Sequence, residues 1–190
     1  MSYTEKSFNI PNNTGLSDAQ IQLHLGLYAG YVKNTNLLLD KINTLKSGED
    51  AVIVSELQRR LGFEFDGMRL HEYYFSQLSE GAQDLDMNSK LGQLITTQFG
   101  SLDNYIADLK RIASTRGIGW VITYYDAENN TIINAWVADH ELGHLAGLPI
   151  VFVIDLWEHA FMVDYAPATK AEYVSTYLSA INWSVVETRI

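Results

Sequence analysis

In its last third the chain reads Val151-Phe152-Val153-Ile154-Asp155-Leu156-Trp157-Glu158-His159-Ala160. Four apolar residues end abruptly in a carboxylate. The run predicts a buried strand, and an Asp at the end of such a strand is costly to ionise unless something positive meets it. His159 lies four residues on, close enough for both side chains to hold one cation if the chain turns there. The plainer reading is a capping Asp beside a core His. Four more histidines stand at 24, 71, 140 and 144, and there is no cysteine. Thiolate metal sites, disulfides and cysteine nucleophiles are therefore excluded. Imidazole and carboxylate without thiolate suit iron, manganese or zinc. His24 and His71 each fall on the apolar side of a predicted helix, where core packing explains a single His as well as ligation does. With Asp155 and His159 they make three imidazoles and one carboxylate. Residue types and spacing stop there, and do not bring the four groups together.

Several elements must position these groups. Ser17 reads as a helix N-cap, with Gln20 completing a capping box. A helix follows from Asp18 to about Leu45, with Ile21, His24, Leu25, Tyr28, Tyr31 and Val32 on one broad face. Gly26 and Gly30 cost stability there and imply close packing. Lys46-Ser47-Gly48 breaks the pattern. A second helix is predicted over 50–61 and a third over 64–78, the latter carrying His71. Residues 79–88 are polar and mark the best boundary. Helices return over 89–98 and 101–114. The segments 120–125 and 131–137, joined by Asp126-Ala127-Glu128-Asn129-Asn130, read as a hairpin. A loop over 139–147 holds His140 and His144, and the strand 149–155 follows. Helices are predicted to begin at Ala160 and to run over 168–180 and 182–188. Helices first and a small sheet flanked by helices afterwards make the fold class α+β.

The whole composition narrows the function classes. The chain has 190 residues, 47% of them hydrophobic, enough for a sizeable core. Thirteen Lys and Arg face 23 Asp and Glu, a net charge of -10. That argues against nucleic-acid binding, and an anionic substrate needs a local positive field to reach its site. No apolar run reaches membrane-spanning length, and Met1 to Asn13 lacks the apolar stretch of a signal peptide. A cytoplasmic protein is expected.

Asp155-Leu156-Trp157-Glu158-His159-Ala160 resembles the D-x-W-E-H-A signature of the iron/manganese superoxide dismutases. Gly119-Trp120 and Asn182-Trp183 are similar to elements of that family. So are the stretch from Ser17 to His24 and the run His71-Glu72-Tyr73-Tyr74-Phe75, which resembles its H-x-F-Y-W element. The likeness covers nearly the whole chain, in family order. It implies a helical-hairpin N-terminal domain over 1–83 and a C-terminal α+β domain with a small antiparallel sheet over 84–190, with the metal between them. It implies His24, His71, Asp155 and His159 as ligands of one iron or manganese ion per subunit, with a solvent molecule as the fifth. Superoxide is then the substrate, disproportionated to dioxygen and hydrogen peroxide. Glu158 is expected at the interface of a homodimer, and neither nucleic acid nor membrane is a partner.

The family keeps a Gln or His donor beside the coordinated solvent. One source lies four residues before the second ligand, where this chain has Gly67. The other lies in the loop before the last strand, where Asp139-His140-Glu141 is similar to the members that use His. The resemblance therefore gives His140 the donor role, with His144 as rival and Tyr31 as the gateway tyrosine. Gln77 and Gln83 match no family position. Trp120 and Trp157 resemble the aromatic box around the metal. There are departures. Tyr28 stands where most members have His, one residue is missing before Tyr31, and Met162 replaces the cross-dimer Tyr. The Arg expected after Tyr165 is absent, leaving Lys170 as the nearest cation in sequence. Two other readings stay open. One is a mononuclear non-haem metalloenzyme with a two-His-one-carboxylate face, which usually sits on a β-barrel. The other is a catalytically silent relative that retains the fold.

Overall fold

In the computed structural model, residues 2–45 and 51–190 are described. The first half is two long helices, α1 (Asp18–Thr44) and α2 (Ala51–Ser76). Ser17 caps α1, its Oγ accepting from the Gln20 N–H at 3.1 Å. The expected return bond from Gln20 does not form. Its side chain instead reaches across the molecule, donating to the His159 carbonyl at 2.6 Å and accepting from the Val163 N–H at 2.9 Å. Where α1 meets α2, the Tyr31 ring lies so close to Gly67 that a Cβ there would sit 2.7 Å from it. This glycine is a packing requirement.

The second half follows in the order α3 (Lys90–Phe99), α4 (Leu102–Ala113), β1 (Gly119–Asp126), β2 (Thr131–Ala138), β3 (Ile150–Asp155), α5 (Lys170–Ser179) and α6 (Trp183–Glu187). The three strands form one antiparallel sheet in the order β2-β1-β3. β1 lies in the middle and is buried along almost its whole length. Its register sets Trp120 opposite Asp155, so the carboxylate that ends β3 arrives beside that indole. Tyr105 on α4 and Thr123 on β1 share a hydrogen bond at 2.6 Å, which ties a helix to the sheet. Gln77 clamps β3 from the end of α2, donating to the Val153 carbonyl at 2.9 Å and accepting from its N–H at 3.1 Å. The helices of the first half are thereby fixed against the strand that carries Asp155.

The α+β class and the small antiparallel sheet are as expected. Two elements are not. The helices predicted over 50–61 and 64–78 are one continuous helix, α2. An isolated glycine such as Gly62 weakens a helix but does not end it. Near its start, Val52 and Ile53 are 77% and 54% exposed. The helix predicted from Ala160 is only a 3-10 turn, Glu158–Ala160, followed by further turns. Ser17 and Gln20 account for this: Ser17 N–H and Oγ bond the Asp164 carboxylate while Gln20 holds Val163. The tethers fold the segment back onto the start of α1. The break expected at Lys46-Ser47-Gly48 and the helix start at 50 lie outside the described residues.

Candidate metal centre

Four side chains from four elements converge where α1 and α2 meet the end of β3. His24 comes from α1, His71 from α2, Asp155 is the last residue of β3, and His159 stands in the turn beyond it. One ligand atom from each lies within 4.8 Å of the others. Asp155 Oδ2 is 3.1 Å from His24 Nε2, 3.2 Å from His159 Nε2 and 3.6 Å from His71 Nε2. His71 Nε2 and His159 Nε2 are 3.3 Å apart. His24, His71 and Asp155 are buried, and His159 is nearly so.

Surrounding groups fix how each side chain points. His71 Nδ1 lies 2.5 Å from the Gly67 carbonyl. A carbonyl only accepts, so Nδ1 carries the proton and Nε2 offers its lone pair to the cluster. The Trp157 N–H takes Asp155 Oδ1 at 2.8 Å, which leaves Oδ2 to face the imidazoles. The Tyr173 hydroxyl donates to the Asp155 carbonyl at 2.8 Å and steadies the strand end. Burial lowers the pKa of His24 and drives that of His71 well below the usual imidazole range, so both rings are neutral. Burial pushes the Asp155 carboxyl up, but His159 and His24 outweigh it and hold Asp155 far below the usual carboxylate range. An ionised carboxylate facing imidazole nitrogens at these distances is a donor set for a divalent or trivalent first-row metal.

A second layer lies against this one. His140 is fully buried. Trp120 Nε1–H, which only donates, bonds His140 Nδ1 at 3.0 Å. A neutral His140 therefore holds its proton on Nε2, which lies 2.7 Å from the Tyr31 hydroxyl. Burial lowers the His140 pKa to about 4, so the ring is neutral near pH 7. Its face stacks on Trp157 with centroids 4.7 Å apart, and Phe63 meets it edge-on at 4.6 Å. The Tyr31 ring lies 5.0 Å from that of His71. Burial also raises the Tyr31 pKa above its ordinary value, so the phenol keeps its proton.

His144, the rival for the donor role, turns away from the cluster. Its Nε2 donates to the His140 carbonyl at 2.8 Å, and its Nδ1 accepts from the Tyr124 hydroxyl at 2.6 Å. It holds the loop that carries His140. Tyr28 is engaged within its own chain, accepting from the Lys6 N–H at 2.9 Å and donating to Glu72 Oε1 at 3.3 Å. Glu158 and Met162 are exposed. Lys170 donates to the Thr115 carbonyl, so it does not stand in for the missing Arg. The cation that reaches the second layer is Arg60, whose guanidinium lies 3.7 Å over the Phe63 ring and pairs with Glu64 at 2.8 Å. Arg60, Phe63 and the cross-molecule role of Gln20 were not foreseen. Only for Gln20 was there a signal, its place beside the first-ligand motif.

Comparison with known proteins agrees with the geometry. A family model described as iron/manganese superoxide dismutases, C-terminal domain, matches residues 87–189. A protein of Sulfolobus acidocaldarius named as an iron superoxide dismutase is 31% identical over 170 residues, covering 87% of this chain and 80% of that one. One of Cupriavidus metallidurans with the same name is 29% identical over 180 residues, covering 93% and 89%. One of Mycobacterium intracellulare, named as a manganese superoxide dismutase, is 29% identical over 167 residues, covering 87% and 80%.

Proposed function

Because the chain belongs to the iron/manganese superoxide dismutase family, we propose a residue-level account of its reaction. That reaction is the disproportionation of superoxide to dioxygen and hydrogen peroxide, with iron or manganese as cofactor. The observation that carries the account is the convergence of three imidazole nitrogens on Asp155 Oδ2. His24, His71, Asp155 and His159 would hold the ion. The donor set fits: one carboxylate would balance part of the cation's charge, and the facing nitrogens of His71 and His159, 3.3 Å apart, would both offer lone pairs to it. The bound ion supplies one-electron chemistry by cycling between its divalent and trivalent states. The two-His-one-carboxylate alternative fits poorly, because a third imidazole occupies the position that class leaves open and the sheet has three strands.

The protein's own task is to deliver protons, since one of the two superoxides must gain two of them. Tyr31 and His140 are assigned to it. The Trp120 indole keeps the His140 proton on Nε2, and His140 donates that proton to the Tyr31 oxygen. The phenolic proton of Tyr31 is then free to point into the site. Phe63 and Trp157 pack against His140 and exclude water from the pair.

Three further assignments belong to the same proposal. Residues 1–83 form the helical domain and 84–190 the α+β domain, supported by the polar stretch 79–88. The protein is a homodimer with Glu158 at its interface. In support, Glu158 is exposed beside His159, and no described residue hydrogen-bonds His159 Nδ1. A cytoplasmic location rests on composition; among the described residues, no helix is long and apolar enough to cross a membrane. The test of function is superoxide decay with protein loaded separately with iron and with manganese. Decay proportional to protein concentration with at least one metal is expected. No acceleration beyond that of the free ions with either metal would leave a silent relative.

A further inference from the structure

Away from the metal centre, a pocket of about 290 Å³ opens between the N-terminal arm, α2 and the chain's last residues. None of the four metal-binding side chains lines it. Its floor holds Arg189. That guanidinium donates to Gln77 Oε1 and the Val151 carbonyl at 2.7 Å each, to Ser76 Oγ at 2.7 Å and to the Tyr73 carbonyl at 3.2 Å. Every one of these acceptors is neutral. Among the described residues no carboxylate pairs with it, and burial lowers its pKa to about 10. At the rim, Lys6 Nζ and Arg69 Nη1 both end on the same oxygen, Glu72 Oε2, at 2.7 Å each. Lys6 and Arg69 thus share one carboxylate and Arg189 has none among the described residues, in a chain whose net charge is -10.

A charge taken out of water is costly unless an opposite charge meets it. Hydrogen bonds to neutral oxygens satisfy the Arg189 donors but leave its charge unbalanced. Lys6 and Arg69 are each half-matched by a shared partner. The Arg69 guanidinium and the Lys6 ammonium can donate to a tetrahedral oxyanion, while Arg189, its terminal N–H groups already engaged, contributes its unbalanced charge. We propose that this pocket binds a small oxyanion, phosphate or the phosphate group of a monoester, between Arg189, Arg69 and Lys6. The anion completes the charge balance that Glu72 only begins. Tyr73, over whose ring the Arg189 guanidinium lies at 4.7 Å, gives the pocket a flat wall against which an ester group can rest.

The test is calorimetric titration of metal-loaded protein with inorganic phosphate and with glycerol phosphate, chloride holding the ionic strength constant. Binding of one anion per chain is expected, with azide at the metal leaving it unchanged. Arg69→Gln and Lys6→Gln, both at partly exposed positions, should each weaken it by about tenfold, the effect of one charge-assisted hydrogen bond. Tighter binding of glycerol phosphate marks a monoester site, and equal or weaker binding a site for the free ion. No binding of either anion at millimolar concentration would overturn the proposal. So would undiminished binding in both variants, or displacement by azide, which would place the anion at the metal.

Discussion

At the scale of single residues, tautomer and packing set the chemistry. Trp120 cannot accept a hydrogen bond, so it decides which His140 nitrogen carries the proton, and that decides the direction of the bond to Tyr31. A glutamine at position 140 would offer a different donor at the same place. His140→Gln is expected to keep metal occupancy yet change the iron-to-manganese activity ratio several-fold, about 1 kcal/mol of altered coupling. An unchanged ratio, with metal load verified, would assign the relay elsewhere. Gly67 is the other decisive residue. A Cβ there would lie 2.7 Å from the Tyr31 ring. Gly67→Ala must shift Tyr31 or the helix. It should destabilise the protein by about 1–3 kcal/mol, as overpacking does, and lower turnover more than metal content. Denaturant midpoints and superoxide decay read the two effects, and a variant as stable and active as the parent would refute the close contact.

At the scale of elements, the site depends on the turn after β3 being pulled back over α1. Gln20 does this with two hydrogen bonds to the 159–163 segment. Gln20→Ala should cost about 1–3 kcal/mol through the lost pair of bonds and release metal faster into chelator, while leaving the α1 cap in place. Chelator kinetics that match the parent would mean that the turn holds itself. These elements also mark what was legible in the sequence. The strand Ile150–Asp155 declared itself by an apolar run ending in a carboxylate, and the helix from Asp18 by its cap and periodic face. The four converging side chains were singled out by their types and by an ordered family resemblance, since periodicity alone places His24 and His71 only on apolar faces. The two helices expected over 50–61 and 64–78 are one, and Gly62 between them weakens the helix without ending it. A helix start is expected at Ala160, whereas the constraints on this turn come from Gln20, about 140 positions away. Phe63 and Arg60 lie beside His140 through such distant contacts, which leave no local pattern.

At the scale of the whole molecule, the proposed dimer would need an intersubunit pairing other than the one the resemblance implies, because Tyr28 bonds Glu72 in its own chain and Met162 carries no hydroxyl. In that proposed dimer Glu158 would link the subunits, and its bond to a partner's ligand imidazole would hold that ring's orientation. Glu158→Ala should therefore weaken the dimer and lower metal retention together. Light scattering and metal analysis on the same samples check this, and a parent protein that is monomeric at micromolar concentration would contradict it. The long helices, the sheet and the turn meet at one point, so the central claim is that this point holds a single ion. Metal content per chain, measured after purification and dialysis, tests it most directly in the parent protein and in His71→Ala. The account predicts about one iron or manganese per chain in the parent, as four protein ligands around one ion require, and loss of stoichiometric metal in the variant. Full occupancy retained in His71→Ala would contradict it.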